Sequence, residues 1–408
     1  MNDNLPITPL LPDLLATLAR QNAVVLQAPP GSGKTTRVPL ALLAGSQGSA
    51  PDWLAGRRIV MLEPRRLAAR SAARYMASLL GEPVGQRVGY RTRLDTRVSA
   101  ATRIEVVTEG ILARLLRDDP ELADYGVVIF DEFHERSLQA DLGLALVREC
   151  QEVLRDDLRL IVMSATLDPG PLSQLLGQAP VLSCDGRMYP VEVRYRPPGR
   201  TPLPDHLRLE ILRLLREESG SLLVFLPGEG EIRRLAERLQ DAIAPDIELC
   251  PLYGQLAAEA QDRAINPSPA GRRKIVLATA IAETSLTIEG IRIVVDAGQM
   301  RTPRFDPGSG MTRLITQRVS QANAEQRRGR AGRLAPGICI RLWSEEEQQR
   351  LRAFATPEIL EADLADLVLE LAAWGVRDAA GMAWLDVPPA PAWAQARELL
   401  HGLDALTG

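Results

Sequence analysis

Lysine is nearly missing from this 408-residue chain: it occurs twice, at Lys34 and Lys274, although lysine and arginine together number 48. A chain that otherwise takes its positive charge from arginine keeps an ammonium where a compact point charge suits the chemistry better than a planar fork, so Lys34 reads as chemically required. Cysteine is scarce too. Cys150, Cys184, Cys250 and Cys339 stand far apart without metal-ligand spacing, which favours reduced, buried thiols over a disulfide frame or a zinc site. No apolar run reaches membrane-spanning length, and the longest, Gly126 to Phe130 and Leu222 to Leu226, are strand-sized. Met1 to Thr8 has no signal-peptide pattern, so a cytoplasmic location and no membrane partner are expected. The net charge of -4 argues against a polybasic binder but leaves room for a local basic track.

What the chain does contain is 46% apolar and 25% charged residues, enough for large cores in two or three domains. From Ala23 short apolar runs alternate with amphipathic stretches. Ala23–Gln27, Arg58–Leu62, Ile104–Val107, Val127–Phe130 and Arg159–Met163 read as strands, and Arg65–Leu80, Gly110–Leu116 and Leu138–Leu154 as helices between them. Such alternation implies a mainly parallel sheet covered on both faces. A second alternation follows the proline-rich stretch Tyr195 to Pro204, with strands Ser221–Leu226, Glu248–Pro251, Lys274–Ala278 and Arg292–Val295. Beyond Trp343 helical patterns take over, at Glu361–Trp374 and Trp393–Leu406. The expectation is an α/β chain of two tandem parallel-sheet domains, 1–185 and 186–345, followed by a small helical segment, 346–408.

Ala28-Pro29-Pro30-Gly31-Ser32-Gly33-Lys34-Thr35 follows a buried strand and opens a helix, the setting in which backbone N–H groups and a helix dipole cradle polyphosphate. Gly31 and Gly33 permit the tight turn, Lys34 can reach the β- and γ-phosphates, and Thr35 can offer its hydroxyl to magnesium. Pro30, Ser32 and Thr36 complete the loop, and Ala28 stands where the pattern usually has its first glycine. About a hundred residues on, strand Val127–Phe130 ends in Asp131-Glu132-Phe133-His134, two carboxylates at the edge where α/β sheets bind ligands. Asp131 is expected to hold magnesium, usually through water, and Glu132 to act as the base for the attacking water and to face the same metal. His134 either couples to the other domain or satisfies a local hydrogen bond.

Gln326-Arg327-Arg328-Gly329-Arg330-Ala331-Gly332-Arg333 spaces three arginines so that Arg327, Arg330 and Arg333 can share one helical face. A solvated charge run is the bland alternative. Phosphoryl transfer, however, needs cations on the developing γ-phosphate charge, and supplying them from a second domain ties hydrolysis to domain closure.

Taken with Glu63-Pro64-Arg65-Arg66-Leu67-Ala68, Thr108-Glu109-Gly110, Ser164-Ala165-Thr166, Leu223–Pro227, Pro251-Leu252-Tyr253-Gly254 and Thr279–Glu289, this order of motifs resembles the DEAH-box branch of superfamily 2 helicases, and within it the bacterial HrpB-type proteins, over nearly the whole chain. The resemblance implies two RecA-like domains, ATP and magnesium as cofactors, and single-stranded nucleic acid as partner, RNA before DNA. It implies that Arg65, Arg66, Arg93, Thr108 and Thr279 touch the strand, and that Ser285, Thr287 and Glu289 link the nucleotide to that grip. Gln326 would position water, with Arg330 and Arg333 as arginine fingers and Arg327 structural. Tyr75 stands where relatives carry an arginine on the adenine, so it either stacks there or packs. Ala280, Glu289 and Ile265 depart from the family's asparagine, aspartate and aromatic, and Phe133 from its alanine, a departure HrpB-type proteins share.

The segment after Thr356 resembles the start of a winged-helix module and stops after a helix, as a truncated motor would. Met300–Val319, centred on Asp306-Pro307-Gly308-Ser309-Gly310, reads as a hairpin between polar strands. It is either a strand separator, as in relatives, or an ordinary exposed hairpin. The functional expectation is an ATP-driven motor that travels 3′-to-5′ on a strand, set against an ATP-gated RNA clamp without processive unwinding and a DNA-directed motor.

Overall fold

The short aliphatic runs become strands because both of their faces are covered, so no polar side chain is needed along them. In the computed structural model of this chain, residues 5–45, 52–54, 56–186, 189–269, 272–284, 288–333 and 335–406 are described. The chain forms two units. The first comprises Met1–Gly186, Arg304–Thr312 and Thr356–Gly408, and the second Arg187–Pro303 and Arg313–Ala355. Among the described residues no helix is long and apolar enough to cross a membrane.

In the first unit the strands are β1 (Ala23–Gln27), β2 (Arg58–Glu63), β3 (Val88–Arg91), β4 (Thr96–Arg97), β5 (Ile104–Thr108), β6 (Tyr125–Phe130), β7 (Arg159–Ser164) and β8 (Val181–Ser183). They form one sheet of order β4-β3-β5-β2-β6-β7-β1-β8. All neighbours are parallel except the antiparallel pair β3 and β4. Helices α1 (Leu11–Leu18), α2 (Lys34–Gly45), α3 (Arg66–Leu79), α4 (Glu109–Asp118), α5 (Leu138–Val153) and α6 (Pro169–Leu175) accompany it. Parallel register brings Leu62 beside Phe130 and Gln27 beside Ser164, so the strands carrying the candidate motifs end together at one edge.

The second unit repeats the plan with β9 (Val191–Tyr195), β10 (Ser221–Phe225), β11 (Ile247–Leu252), β12 (Arg273–Ala278) and β13 (Ile291–Asp296). After them in the chain come the hairpin strands β14 (Gln299–Asp306) and β15 (Met311–Arg318), whose tip Arg304–Thr312 counts with the first unit, and then β16 (Gly337–Arg341). The order β11-β12-β10-β13-β16-β9 is parallel throughout. Its helices are α7 (Leu203–Glu217), α8 (Glu229–Gln240), α9 (Ala258–Ile265), α10 (Gln321–Arg328) and α11 (Glu345–Arg350). The hairpin has polar, largely exposed strands, and its tip is closed by Asp306, whose carboxylate accepts from Gly308 N–H and the Ser309 hydroxyl.

Helices α12 (Ala365–Trp374) and α13 (Ala390–Gly402) follow the second unit in sequence but pack into the first. Ile359, Leu367, Leu371, Trp384 and Leu400 share a buried cluster with Leu112, Leu116, Phe133, Leu142 and Leu146. Polar contacts reinforce it: Arg136 pairs with Asp386 at 2.7 Å, Arg117 with Glu370 at 3.0 Å, and the Trp374 indole donates to Glu149 at 3.1 Å.

Candidate functional site

Strand β1 ends at Gln27, and the chain turns through Gly31 (φ 82°) and Gly33 (φ 93°) into α2. Only glycine adopts that conformation cheaply. At Gly33 a Cβ would also lie 2.8 Å from the Leu5 side chain, which would have to shift. The helix opens on Lys34, 3% exposed, so the ammonium stands beside free backbone N–H groups and the positive end of a helix dipole. Lys34 Nζ donates to Glu132 Oε1 at 3.1 Å and lies 4.0 Å from Asp131 Oδ1, and the Thr35 hydroxyl donates to Asp131 Oδ2. Burial works against the lysine's charge, yet Glu132 and Asp131 outweigh it and raise its pKa. Burial, followed by the Glu132 charge, raises Asp131, with Lys34 and the Thr35 hydroxyl opposing.

The stretch after β6 gives each of seven consecutive residues a different partner. Asp131 meets Thr35, and Glu132 meets Lys34. Phe133 enters the core, and the His134 ring accepts from Ala165 N–H at 3.3 Å, with its Nδ1 3.4 Å from Glu132. Arg65 donates to Glu135 at 3.1 Å, Arg136 pairs with Asp141 at 3.1 Å, and the Ser137 hydroxyl caps α5 while donating to Glu109. The turn is possible because Glu132 (φ 49°) and Arg136 (φ 50°) adopt the left-handed conformation, which costs an L-residue roughly 1–2 kcal/mol each. The His134 ring takes the local hydrogen bond of the two alternatives read from sequence. Burial lowers its pKa, in keeping with an unprotonated Nδ1 as acceptor.

Of the candidate strand-binding residues, Arg66, Arg93 and Thr108 line one open pocket of about 640 Å³, together with Arg91, Thr92, Thr96 and Arg114. Arg65 stands at the N-cap of α3 and ties this face to the acidic run through Glu135. In the phosphate loop Ser32 is buried, Pro30 is half-buried, and the Thr36 hydroxyl turns back to the Gly33 carbonyl at 3.4 Å. Tyr75 is 52% exposed on α3.

In the second unit Gln326 and Arg330 are buried, Arg333 and Thr279 half-buried, and Glu289 exposed. Ser285 and Thr287 lie outside the described residues. The shared helical face expected for Arg327, Arg330 and Arg333 does not form: α10 ends at Arg328 and the chain turns at Gly329, so only Arg327 of the three is helical. Beyond the turn, the Arg330 side chain donates to the Glu283 carbonyl. Arg327 is fully buried, as a structural role requires. It pairs with Glu283 and Asp296, the latter at 2.6 Å, and lies over the Phe225 ring.

Sequence reasoning covered Glu63, Glu135 and Glu283 only as parts of motifs and gave none of them a role. Glu63 is fully buried, and burial followed by the charges of Asp131 and Glu132 holds its carboxyl well above the usual range. A signal existed, since Glu63 ends a buried apolar strand just as Asp131 follows one.

Two parallel sheets, one of them bearing a glycine loop, a buried lysine and a paired threonine and aspartate at its strand ends, define a P-loop protein with RecA-like domains. The sequence pattern of the DEAD/DEAH box helicase matches residues 11–175, and that of the helicase conserved C-terminal domain matches residues 206–335. The chain belongs to the DEAD/DEAH box helicase family. It is 53% identical over 408 residues to the ATP-dependent RNA helicase HrpB of Escherichia coli, a match covering 99% of this chain and 49% of that protein. It is 38% identical to the HrpA helicase of the same organism (99% and 31% covered) and to the pre-mRNA-splicing factor prp22 of Schizosaccharomyces pombe (99% and 35%). The crystal structure of Escherichia coli DEAH/RHA helicase HrpB superposes with a TM-score of 0.93 at 53% identity, covering 99% of this chain and 51% of that one. The chain thus spans about half the length, or less, of these relatives.

Proposed function

We propose that this chain is a nucleic-acid-stimulated ATPase, hydrolysing ATP to move 3′-to-5′ along single-stranded RNA and separate duplexes or remodel RNA–protein complexes. One observation carries the reading: a single seven-residue turn reaches from Lys34 in the phosphate loop to Arg65, whose neighbour in the chain, Arg66, lines a basic pocket. A change at the nucleotide is therefore felt at a strand-binding face without any long relay. RNA is preferred over DNA because the relatives are named RNA helicases.

The residues assign themselves by chemistry. Backbone N–H groups of 31–35 and Lys34 hold the β- and γ-phosphates, where a point charge neutralises oxygens without a fixed fork. Thr35 and Asp131 fit magnesium, which takes few protein ligands and keeps several waters. Bound there, magnesium supplies positive charge to the phosphate oxygens. Glu132, its Oε1 held by Lys34 and Oε2 facing His134, accepts the proton of the attacking water. For the second unit we propose the roles the resemblance implies, with Gln326 orienting water and Arg330 and Arg333 carrying charge for the transferred phosphoryl group. Contacts from Arg65, Arg66, Arg93 and Thr108 go to the strand backbone, which binds without reading sequence.

Steady-state ATP turnover measured alone, with single-stranded RNA and with DNA of matched length and salt tests the reading. RNA is expected to stimulate hydrolysis several-fold, and a 3′-tailed duplex to be opened. Equal stimulation by DNA would remove the preference for RNA. Stimulated hydrolysis without strand release would favour a clamp, and no stimulation would overturn the motor.

A further inference from the structure

Glu63 is the deepest charged group in the nucleotide site. It stands at the last position of β2, beside the β6 strand that delivers Asp131, and Asp131 N–H donates to the carbonyl of its neighbour Leu62 at 3.0 Å. Its side chain is 0% exposed, and among the described residues no N–H or hydroxyl group of the protein donates to either carboxyl oxygen; its hydrogen-bonding neighbour is the Asp131 carboxyl, with which it can share a proton. Its charged neighbours are Asp131, Glu132 and Lys34. As a carboxylate, Glu63 would be an acceptor sealed from water with no donor from the chain, which is costly unless something outside the chain donates to it. Ionised, the set of three carboxylates and one ammonium is net negative, which repels a polyphosphate unless a cation comes with it.

We propose that Glu63 is a positioning residue for the divalent cation, accepting hydrogen bonds from the cation's water ligands behind Thr35 and Asp131. The inference rests on the nucleotide-site reading above. Water is the donor that suits the place: magnesium retains several waters, and each offers O–H groups to surrounding acceptors. Second-layer acceptors of this kind orient the ligands of a metal and tune its affinity. The position also has a second consequence. Two residues further on, Arg65 pairs with Glu135 and precedes Arg66, which lines the strand pocket, so a cation that fixes Glu63 fixes the strand end from which both arginines follow.

The test is binding of ADP carrying a fluorescent methylanthraniloyl group to the whole 408-residue chain, titrated with magnesium. For E63Q the magnesium concentration at half-maximal binding is expected to rise roughly 10-fold. Metal-free binding should be no weaker than in the parent. A midpoint within about twofold of the parent overturns the proposal: Glu63 would then only share a proton with Asp131, which the glutamine amide reproduces. E63D, which keeps the charge, is expected to retain most of the magnesium response, and a loss equal to that of E63Q overturns the argument from charge. A parent chain that binds the nucleotide with no response to magnesium would overturn the nucleotide-site reading itself, a result separable from failure of the Glu63 variants alone.

Discussion

Replacing Glu132 by glutamine keeps the shape of the side chain and its bond from Lys34 but removes its power to take a proton. E132Q is expected to bind ATP as before and to lose turnover by ~100-fold or more, read by comparing nucleotide binding with steady-state hydrolysis. K34A should weaken both. A different carboxyl controls stability. Glu109, at the start of α4, is pushed up to about 7 by burial, helped by Glu135 and Glu358 and opposed by the Ser137 hydroxyl and Arg65. Because the folded form holds its proton to higher pH than the unfolded form, the protein is expected to lose stability as pH rises from about 4.5 to 7, and to level off above. E109Q should remove ~1–3 kcal/mol of that dependence, visible as a flatter plot of melting temperature against pH. A variant whose melting temperature tracks pH as the parent does would place the sensitive group elsewhere.

At the scale of the element, the turn from Asp131 to Ser137 and helix α10 show what could be read in advance and what could not. Asp131 and Glu132 were legible because a buried strand followed by carboxylates has one chemical use at a sheet edge. Lys34 and the glycines were legible for the same local reason. Glu135 and Arg136 were not, because their partners Arg65 and Asp386 lie 70 and 250 residues away. The strands were readable from apolar runs, whereas the end of α10 at Arg328 was not, because arginines three apart are compatible with a helix that continues and with one that stops. Within α10, Arg327 holds two buried carboxylates, Glu283 and Asp296. R327A leaves both unpaired and should cost ~3–5 kcal/mol, seen as a fall in the melting temperature. Loss of hydrolysis at unchanged melting temperature would instead make Arg327 a chemical participant.

For the molecule as a whole, the final fifty residues belong to the stability of the first unit, although their sequence suggested an appendix. Removing 356–408 takes away the buried Ile359, Leu367, Leu371, Trp384 and Leu400, each worth ~1.5–3 kcal/mol of burial, from a fold of ordinary, marginal stability. Such a chain should melt earlier and be cut faster by protease in α4 and α5, beyond any effect on strand separation. Unchanged melting and cleavage would show the segment to be dispensable to the first unit.

Making the first unit from separated stretches of chain also sets a timetable for synthesis. At roughly 5–20 residues per second, the ribosome needs about 10 to 45 s after delivering α6 before Leu400 is added. Throughout that interval the apolar faces of α4 and α5 await partners not yet made, while the second unit can close its own sheet. The unit begun first is thus completed only after the second has been made, and chaperone binding to the nascent chain should peak in that window.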